Sequence, residues 1–293
     1  MIINPVVLTI GGVQLHAFTA SVVLSVALGL FSLLWRAYQL RQPLIRWLDC
    51  GAAAIFCGVI GARALHVVLE TSYFSAHTDE IWSLANGGLD WHGAVLGGLI
   101  GLALVSGLRR VPFGPLTDAV ALVFPLAAAL VWAGSGSAAT AYGLEVRTLA
   151  DFPPWLVTES PDIYGSIAPR LDLPHISIDL CLGLEGLLLF LALVQRGSGL
   201  RLWLALGMSG LMMALLSFFR GDIAAYWFDH RADQVLDLLV LLLATLLAAV
   251  TLLTRSARSD SAVQGPEPPA GPGRTHTLGH VARIEDSDAD QQR

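Results

Sequence analysis

Asn86-Gly87-Gly88-Leu89-Asp90-Trp91-His92-Gly93-Ala94-Val95-Leu96-Gly97-Gly98 runs from a polar loop into an apolar span. Glycine ahead of a helix lets the backbone come close to another group, because no Cβ stands in the way. A histidine at a membrane–water boundary can serve as base or hydrogen-bond donor near neutral pH. Tight helix packing beside an interfacial histidine accounts for the same letters. The rest of the chain decides between the two.

Hydrophobic residues make up 55% of the 293 and charged residues 14%, and the mean hydropathy is +0.65. That composition predicts an integral membrane protein. All 17 basic residues are arginine, which excludes a Schiff-base lysine. Cys50, Cys57 and Cys181 fall in apolar runs, at spacings that fit neither a zinc motif nor a disulfide framework. They read as small buried hydrophobes. The net charge of −6 comes mostly from the outer loops and the tail and so says little about nucleic acid; no nucleic-acid partner is expected of a membrane-embedded chain.

Working outward, apolar runs near the length of a membrane crossing fall at about 15–35, 50–70, 91–108, 116–141, 176–195, 202–219 and 233–254. The expected fold is all-α: a polytopic membrane protein of about seven transmembrane helices over residues 1–255, with a disordered tail over 256–293. The first 14 residues carry no arginine, so no conventional signal peptide is expected. Arg36, Arg41, Arg46, Arg109, Arg110, Arg196, Arg201, Arg255 and Arg258 all lie in alternate connections. By the positive-inside rule those connections are cytoplasmic, which puts the N-terminus outside and the C-terminus in the cytoplasm. The segment 142–175, rich in proline and aromatics, reads as an ordered loop on the outer surface, with a slack connector as the alternative.

Polar groups inside apolar spans are costly and each needs a reason. His16, Arg63, His66, His92, Tyr142, His175, Ser177, Asp179, Glu185, Arg220, Asp222, Asp233, Gln234 and Asp237 all fall toward the outer ends of their spans. That asymmetry predicts a polar cavity open to the outer leaflet, not a path through the membrane. Arg63 and Arg220 are its expected cations, with Asp179, Glu185 and Asp237 as counter-charges. Structural ion pairs between helices are the alternative. Arginine forks suit a phospholipid head group, and a nearby histidine suits proton transfer. No span carries a His-x-x-x-His or Glu-x-x-His pair, so no metal and no cofactor is expected.

Several segments resemble the prolipoprotein diacylglyceryl transferase family, from about residue 10 to 250. They are Val13-Gln14-Leu15-His16-Ala17-Phe18, Gly61-Ala62-Arg63-Ala64-Leu65, Gly87-Gly88-Leu89-Asp90-Trp91-His92-Gly93, His175-Ile176-Ser177 with Glu185-Gly186, Phe218-Phe219-Arg220-Gly221-Asp222, and Gln234. The third is similar to the family's Gly-Gly-x-x-x-His-Gly motif. The resemblance implies a seven-helix enzyme of the bacterial cytoplasmic (inner) membrane with its site on the extracytoplasmic side. Such an enzyme moves diacylglycerol from phosphatidylglycerol to the cysteine thiol of a lipoprotein precursor and releases glycerol phosphate. Carried onto this chain, it implies His92 and Arg63 as catalytic residues. It implies Arg220, Gly87, Gly88, Gly93, Tyr142, His175, Glu185 and Gln234 as substrate-binding residues.

The family's signature at the end of the fourth helix, Gly-Arg-x-Gly-Asn followed by Asn and Glu, is altered here. Aligned on Gly134, its arginine becomes Ser135, its asparagines Ala138 and Ala141, and its glutamate Gly143. Phe18 replaces a tyrosine, and Met213 and Ser217 replace an arginine and a glutamate of the sixth helix. A lost charged hydrogen bond costs ~1.5–3 kcal/mol, and ~1.36 kcal/mol is tenfold in rate. Losing several should abolish ordinary turnover. Two alternatives therefore stand beside the transferase: a catalytically inactive member that binds lipid or lipoprotein, and a transferase with a different donor or acceptor.

Overall fold

The computed structural model describes residues 5–84, 87–194 and 199–263. The chain opens with a hairpin, β1 (Val6–Ile10) and β2 (Val13–His16). Gly11 and Gly12 join the strands at φ 55° and 87°, the left-handed backbone that a two-residue hairpin turn demands. Helix α1 (Ala17–Gln39) follows directly. Pro43 then restarts the chain as the N-cap of α2 (Leu44–Leu69), which begins before its apolar run does. A single turn, α3 (Thr71–Phe74), leads into the loop that launches α4 (Trp91–Arg109).

The fourth expected span is broken. It consists of α5 (Phe113–Ala121) and α6 (Phe124–Ser137), bent by 41°. Pro125 sits in the first turn of α6, where it lacks the N–H needed to continue the helix and its ring crowds the carbonyl four residues back. The segment beyond α6 is ordered, with β3 (Val157–Pro161) and β4 (Ile167–Leu171) forming an antiparallel hairpin. Then come α7 (Leu173–Val194), α8 (Arg201–Leu216), a small hairpin of β5 (Tyr226–Trp227) and β6 (His230–Arg231), and α9 (Ala232–Val263). Among the described residues, six helices are long and apolar enough to cross a membrane, and seven crossings result if the bent α5–α6 pair is one span. The chain is thus an all-α membrane protein, with three short hairpins among the described residues. One compact unit runs through Leu252. In the segment from Leu253, α9 continues to Val263 and so runs into the tail expected over 256–293, whose remainder from 264 onward lies outside the described residues.

The glycines of α4 pack it against α2. A Cβ on Gly93 would strike the Gly61 carbonyl, one on Gly97 the Cys57 carbonyl, and one on Gly101 the Ala53 carbonyl. These contacts repeat every four residues on both helices, so they lie on one face of each. Lipid tails are as apolar as leucine, so helices in a bilayer associate by close backbone approach, and small residues permit it. This crossing fixes where the N-terminus of α4, and with it His92, stands relative to α2.

Candidate active site

Asp90 is the N-cap of α4. Its Oδ1 accepts hydrogen bonds from the backbone N–H of His92 at 2.9 Å and of Gly93 at 3.3 Å. The same oxygen lies 2.9 Å from His92 Nδ1. Across the ring, His92 Nε2 lies 2.9 Å from Oδ1 of Asp237, which projects from the first turns of α9. His92 is 5% exposed and Asp237 3%. Burial pushes the Asp90 carboxyl up, but the hydrogen bond and charge of His92 and the two backbone donors outweigh it, holding Asp90 below the usual carboxylate value.

Beside this triad lies a four-membered ion cluster. Arg220 Nε donates to Asp222 Oδ1 at 2.8 Å and Nη2 to Oδ2 at 2.5 Å, while Nη1 lies 3.4 Å from Asp233. Arg231 donates to both oxygens of Asp233, at 3.1 and 3.0 Å, and to the Asp222 carbonyl at 2.9 Å. The β5–β6 hairpin delivers Arg231 through a tight turn in which Phe228 and Asp229 both have positive φ. Burial alone would lower the Arg220 guanidinium, but Asp222, Asp233 and Asp237 raise it above its ordinary value, so it stays charged. Asp237 is therefore within electrostatic reach of Arg220, and the cluster joins the triad.

A ribbon of three segments covers this region. Gly143 pairs with Arg220 on one side, and Glu145 pairs with Arg170 on the other. Gly221 N–H donates to the Tyr142 carbonyl and Leu144 N–H to that of Phe219, while Leu171 N–H reaches the Leu144 carbonyl. Arg170, 7% exposed, stacks over the Tyr142 ring at 5.0 Å and lies 3.6 Å from both Glu145 and Asp162. Burial, with Asp162 and Asp222 nearby, raises the Tyr142 phenol.

Arg63 occupies a different place from the one expected of a phosphate ligand. Its Nε donates to the Ile81 carbonyl at 2.6 Å, Nη1 to Gly87 at 2.6 Å and Gly88 at 3.1 Å, and Nη2 to Glu80 at 2.5 Å. Its partners are carbonyls, not Asp179, Glu185 or Asp237, and it pins the loop ahead of α4. A cavity of about 380 Å³ of mixed polar and apolar lining adjoins it, and the histidine lining that cavity is His66. Gly87 and Gly88, at φ 77° and 75°, also line it, and a Cβ on Gly88 would collide with His66 and Arg63. A second, apolar groove of about 550 Å³ along Ala52, Ile55, Phe56, Val59 and Ile60 shares Arg63. The cavity residues do not include His92 or Arg220.

The remaining expected residues are scattered. Gly93 faces the backbone of α2. His175 is exposed and meets Asp172 at 2.8 Å. Glu185 takes a backbone hydrogen bond from Leu126 at the start of α6, and its Oε2 is buried with no partner among the described residues. Asp179 is exposed. Gln234 is buried next to Asp233, whose carboxylate accepts its backbone N–H. The counter-charges of Arg220 are Asp222 and Asp233. Sequence reasoning missed Arg170 and Arg231, and it missed Asp90 as a partner of His92. The Asp-x-His spacing at a helix start was the available signal for Asp90.

The profile of the prolipoprotein diacylglyceryl transferase family matches residues 5–250, which takes in every element of this site. The chain belongs to the prolipoprotein diacylglyceryl transferase family. Proteins named phosphatidylglycerol–prolipoprotein diacylglyceryl transferase are similar to it. That of Symbiobacterium thermophilum is 35% identical over 166 residues, 54% of this chain and 58% of the relative. That of Acaryochloris marina is 32% identical over 124 residues, 40% and 43%. That of Thermoanaerobacter sp. strain X514 is 28% identical over 134 residues, 45% and 52%. The chain thus spans about half the length of the curated relatives it matches. Within this diacylglyceryl transferase family, the chain has an uncharged fourth-helix end. Alpha-helix α6 stops at Ser137, the Ala138 and Thr140 N–H groups return to the Gly134 and Ser135 carbonyls, and Ala139 turns at φ 53°.

Proposed function

We propose that this chain transfers the diacylglyceryl group of phosphatidylglycerol to the cysteine thiol of a lipoprotein precursor. In that reaction the thiol sulfur forms a bond to the glycerol carbon and the carbon–oxygen bond to phosphate breaks. Glycerol phosphate leaves, and the thiol proton ends on solvent or on the leaving phosphate. Membership of the family through residues 5–250, with His92 buried inside it and joined to the Arg220 cluster, carries this proposal. The reaction acts at the outer leaflet of a bacterial cytoplasmic membrane, on a membrane domain of residues 1–255 with its N-terminus outside and the tail from 256 in the cytoplasm. The arginine bias of the connections supports that orientation.

Arg220 and Arg231 are the cations proposed to meet the phosphate, since both stay paired near the triad with forks suited to it. Arg63 is proposed to act earlier, by holding the Gly87–Gly88 loop in place for α4. Gly87, Gly88, Tyr142, His175, Glu185 and Gln234 remain proposed substrate contacts. A bacterium in which its own diacylglyceryl transferase can be switched off tests this in vivo. Expression of the chain should restore lipid-modified lipoproteins in the membrane, and continued accumulation of unmodified precursor would contradict it.

The uncharged run from Ser135 to Gly143 favours a second reading, a member that binds lipid or lipoprotein without turnover. Phospholipid co-purifying at fixed stoichiometry, with no modified precursor, would favour it. A transferase with another donor or acceptor would modify a different thiol or consume a different phospholipid.

A further inference from the structure

Both nitrogens of the His92 ring are committed. Nδ1 faces Asp90 Oδ1 and Nε2 faces Asp237 Oδ1, each at 2.9 Å. An ionised carboxylate only accepts hydrogen bonds, and a neutral imidazole has a single N–H to give. Two carboxylates on opposite edges of one ring are both satisfied when each ring nitrogen carries a hydrogen. The partners arrive from separate parts of the chain. Asp90 caps the helix that bears His92, and Asp237 comes from α9, one turn beyond Asp233. Asp233 and Arg220 are the further charged groups within electrostatic reach of Asp237. No ring nitrogen is left over to receive a proton.

We infer that Asp90 and Asp237 are positioning residues that hold His92 as a doubly hydrogen-bonded imidazolium. His92 then serves as the joint that sets the glycine loop of α4 against the charge cluster of α9, and it does not take up the thiol proton. The effect on transfer rests on the function proposed above, whereas the state of the ring does not. The geometry gives each partner a distinct job. Asp90 fixes Nδ1 and the first turn of α4 with one oxygen, so ring and backbone are set together. Asp237 fixes Nε2 and couples the ring to Arg220.

The test uses the full-length protein in nanodiscs with nitrogen-15-labelled histidine, and a His92→Gln variant identifies the His92 signals. At neutral pH both His92 ring nitrogens should be protonated, and a bare ring nitrogen in the wild type would overturn the inference. Asp237→Asn should bare one nitrogen and lower kcat by about tenfold or more with KM changed less than about threefold, a loss confined to the activated state. Asp237→Glu should recover part of that loss. A wild-type kcat in Asp237→Asn would also overturn the inference. If the wild-type protein transfers nothing, the proposed reaction fails while the nitrogen signals still decide the state of the ring.

Discussion

Arg63 donates to four carbonyls of one loop, at Glu80, Ile81, Gly87 and Gly88, and a lysine ammonium cannot reproduce that planar fork. Each hydrogen bond from a charged donor contributes ~1.5–3 kcal/mol, so Arg63→Lys should release the loop while leaving α2 intact. Limited proteolysis is expected to cut between residues 78 and 90 at least about tenfold faster in the variant, which two lost bonds would suffice to produce. Unchanged cleavage would assign Arg63 a role other than pinning. Asp90 makes a prediction about pH. Its carboxyl titrates lower in the fold than in an unfolded chain, so its stabilising contribution is complete above about pH 4 and drains away as pH falls through the depressed value. The gap in melting temperature between wild type and Asp90→Asn should be widest near pH 6 and shrink toward pH 3. A gap that grows on acidification would contradict the clamp. Asp90 was legible from sequence as a helix cap, because a cap acts within three residues. Its far-side counterpart Asp237 lies 145 positions from His92, and no local pattern announces such a pair. Arg63 misled for a related reason: an arginine in a span reads as a charge seeking a charge, and carbonyl partners leave no mark in the sequence.

At the scale of elements, the glycine stripe of α4 is a packing surface. Gly93, Gly97 and Gly101 meet the backbone at Gly61, Cys57 and Ala53. Gly97→Leu should force α2 and α4 apart and cost about 1–3 kcal/mol or more from overpacking. Thermal unfolding in detergent would register it, and a wild-type melting temperature would mean that the two helices do not cross there. Gly107→Ala is the control, since a Cβ there meets nothing within 4 Å. Six of the expected spans were readable because runs near 20 apolar residues have few other uses. The α5–α6 break was readable only as the letters Phe124-Pro125, whose effect depends on Pro125 falling within a turn of the new helix. The first hairpin was announced by Gly11-Gly12 between apolar residues but was hidden by the hydrophobic run that follows it.

Across the whole molecule, ionisable residues from the start of α4, the segment after α8, β6 and the start of α9 converge although the first lies far from the others in sequence. Four carboxylates and two arginines share one network with His92, a concentration that would be costly to bury without pairing. Composition and hydropathy revealed the membrane fold, and the short motifs revealed the family. Which charges meet was set by tertiary contacts, so His92 and Arg220 emerged as neighbours of one network while Arg63 and His175 did not. The proposed diacylglyceryl transfer has to run on this network despite the uncharged end of α6. Purified protein should be given phosphatidylglycerol and a lipobox peptide with one cysteine, beside His92→Ala and Arg220→Ala variants. The wild type should give a peptide mass gain of one diacylglyceryl group, reduced at least about a hundredfold in both variants, equivalent to ~2.7 kcal/mol of barrier. Wild-type turnover in either variant, or no modified peptide with the wild-type protein, would contradict the proposal.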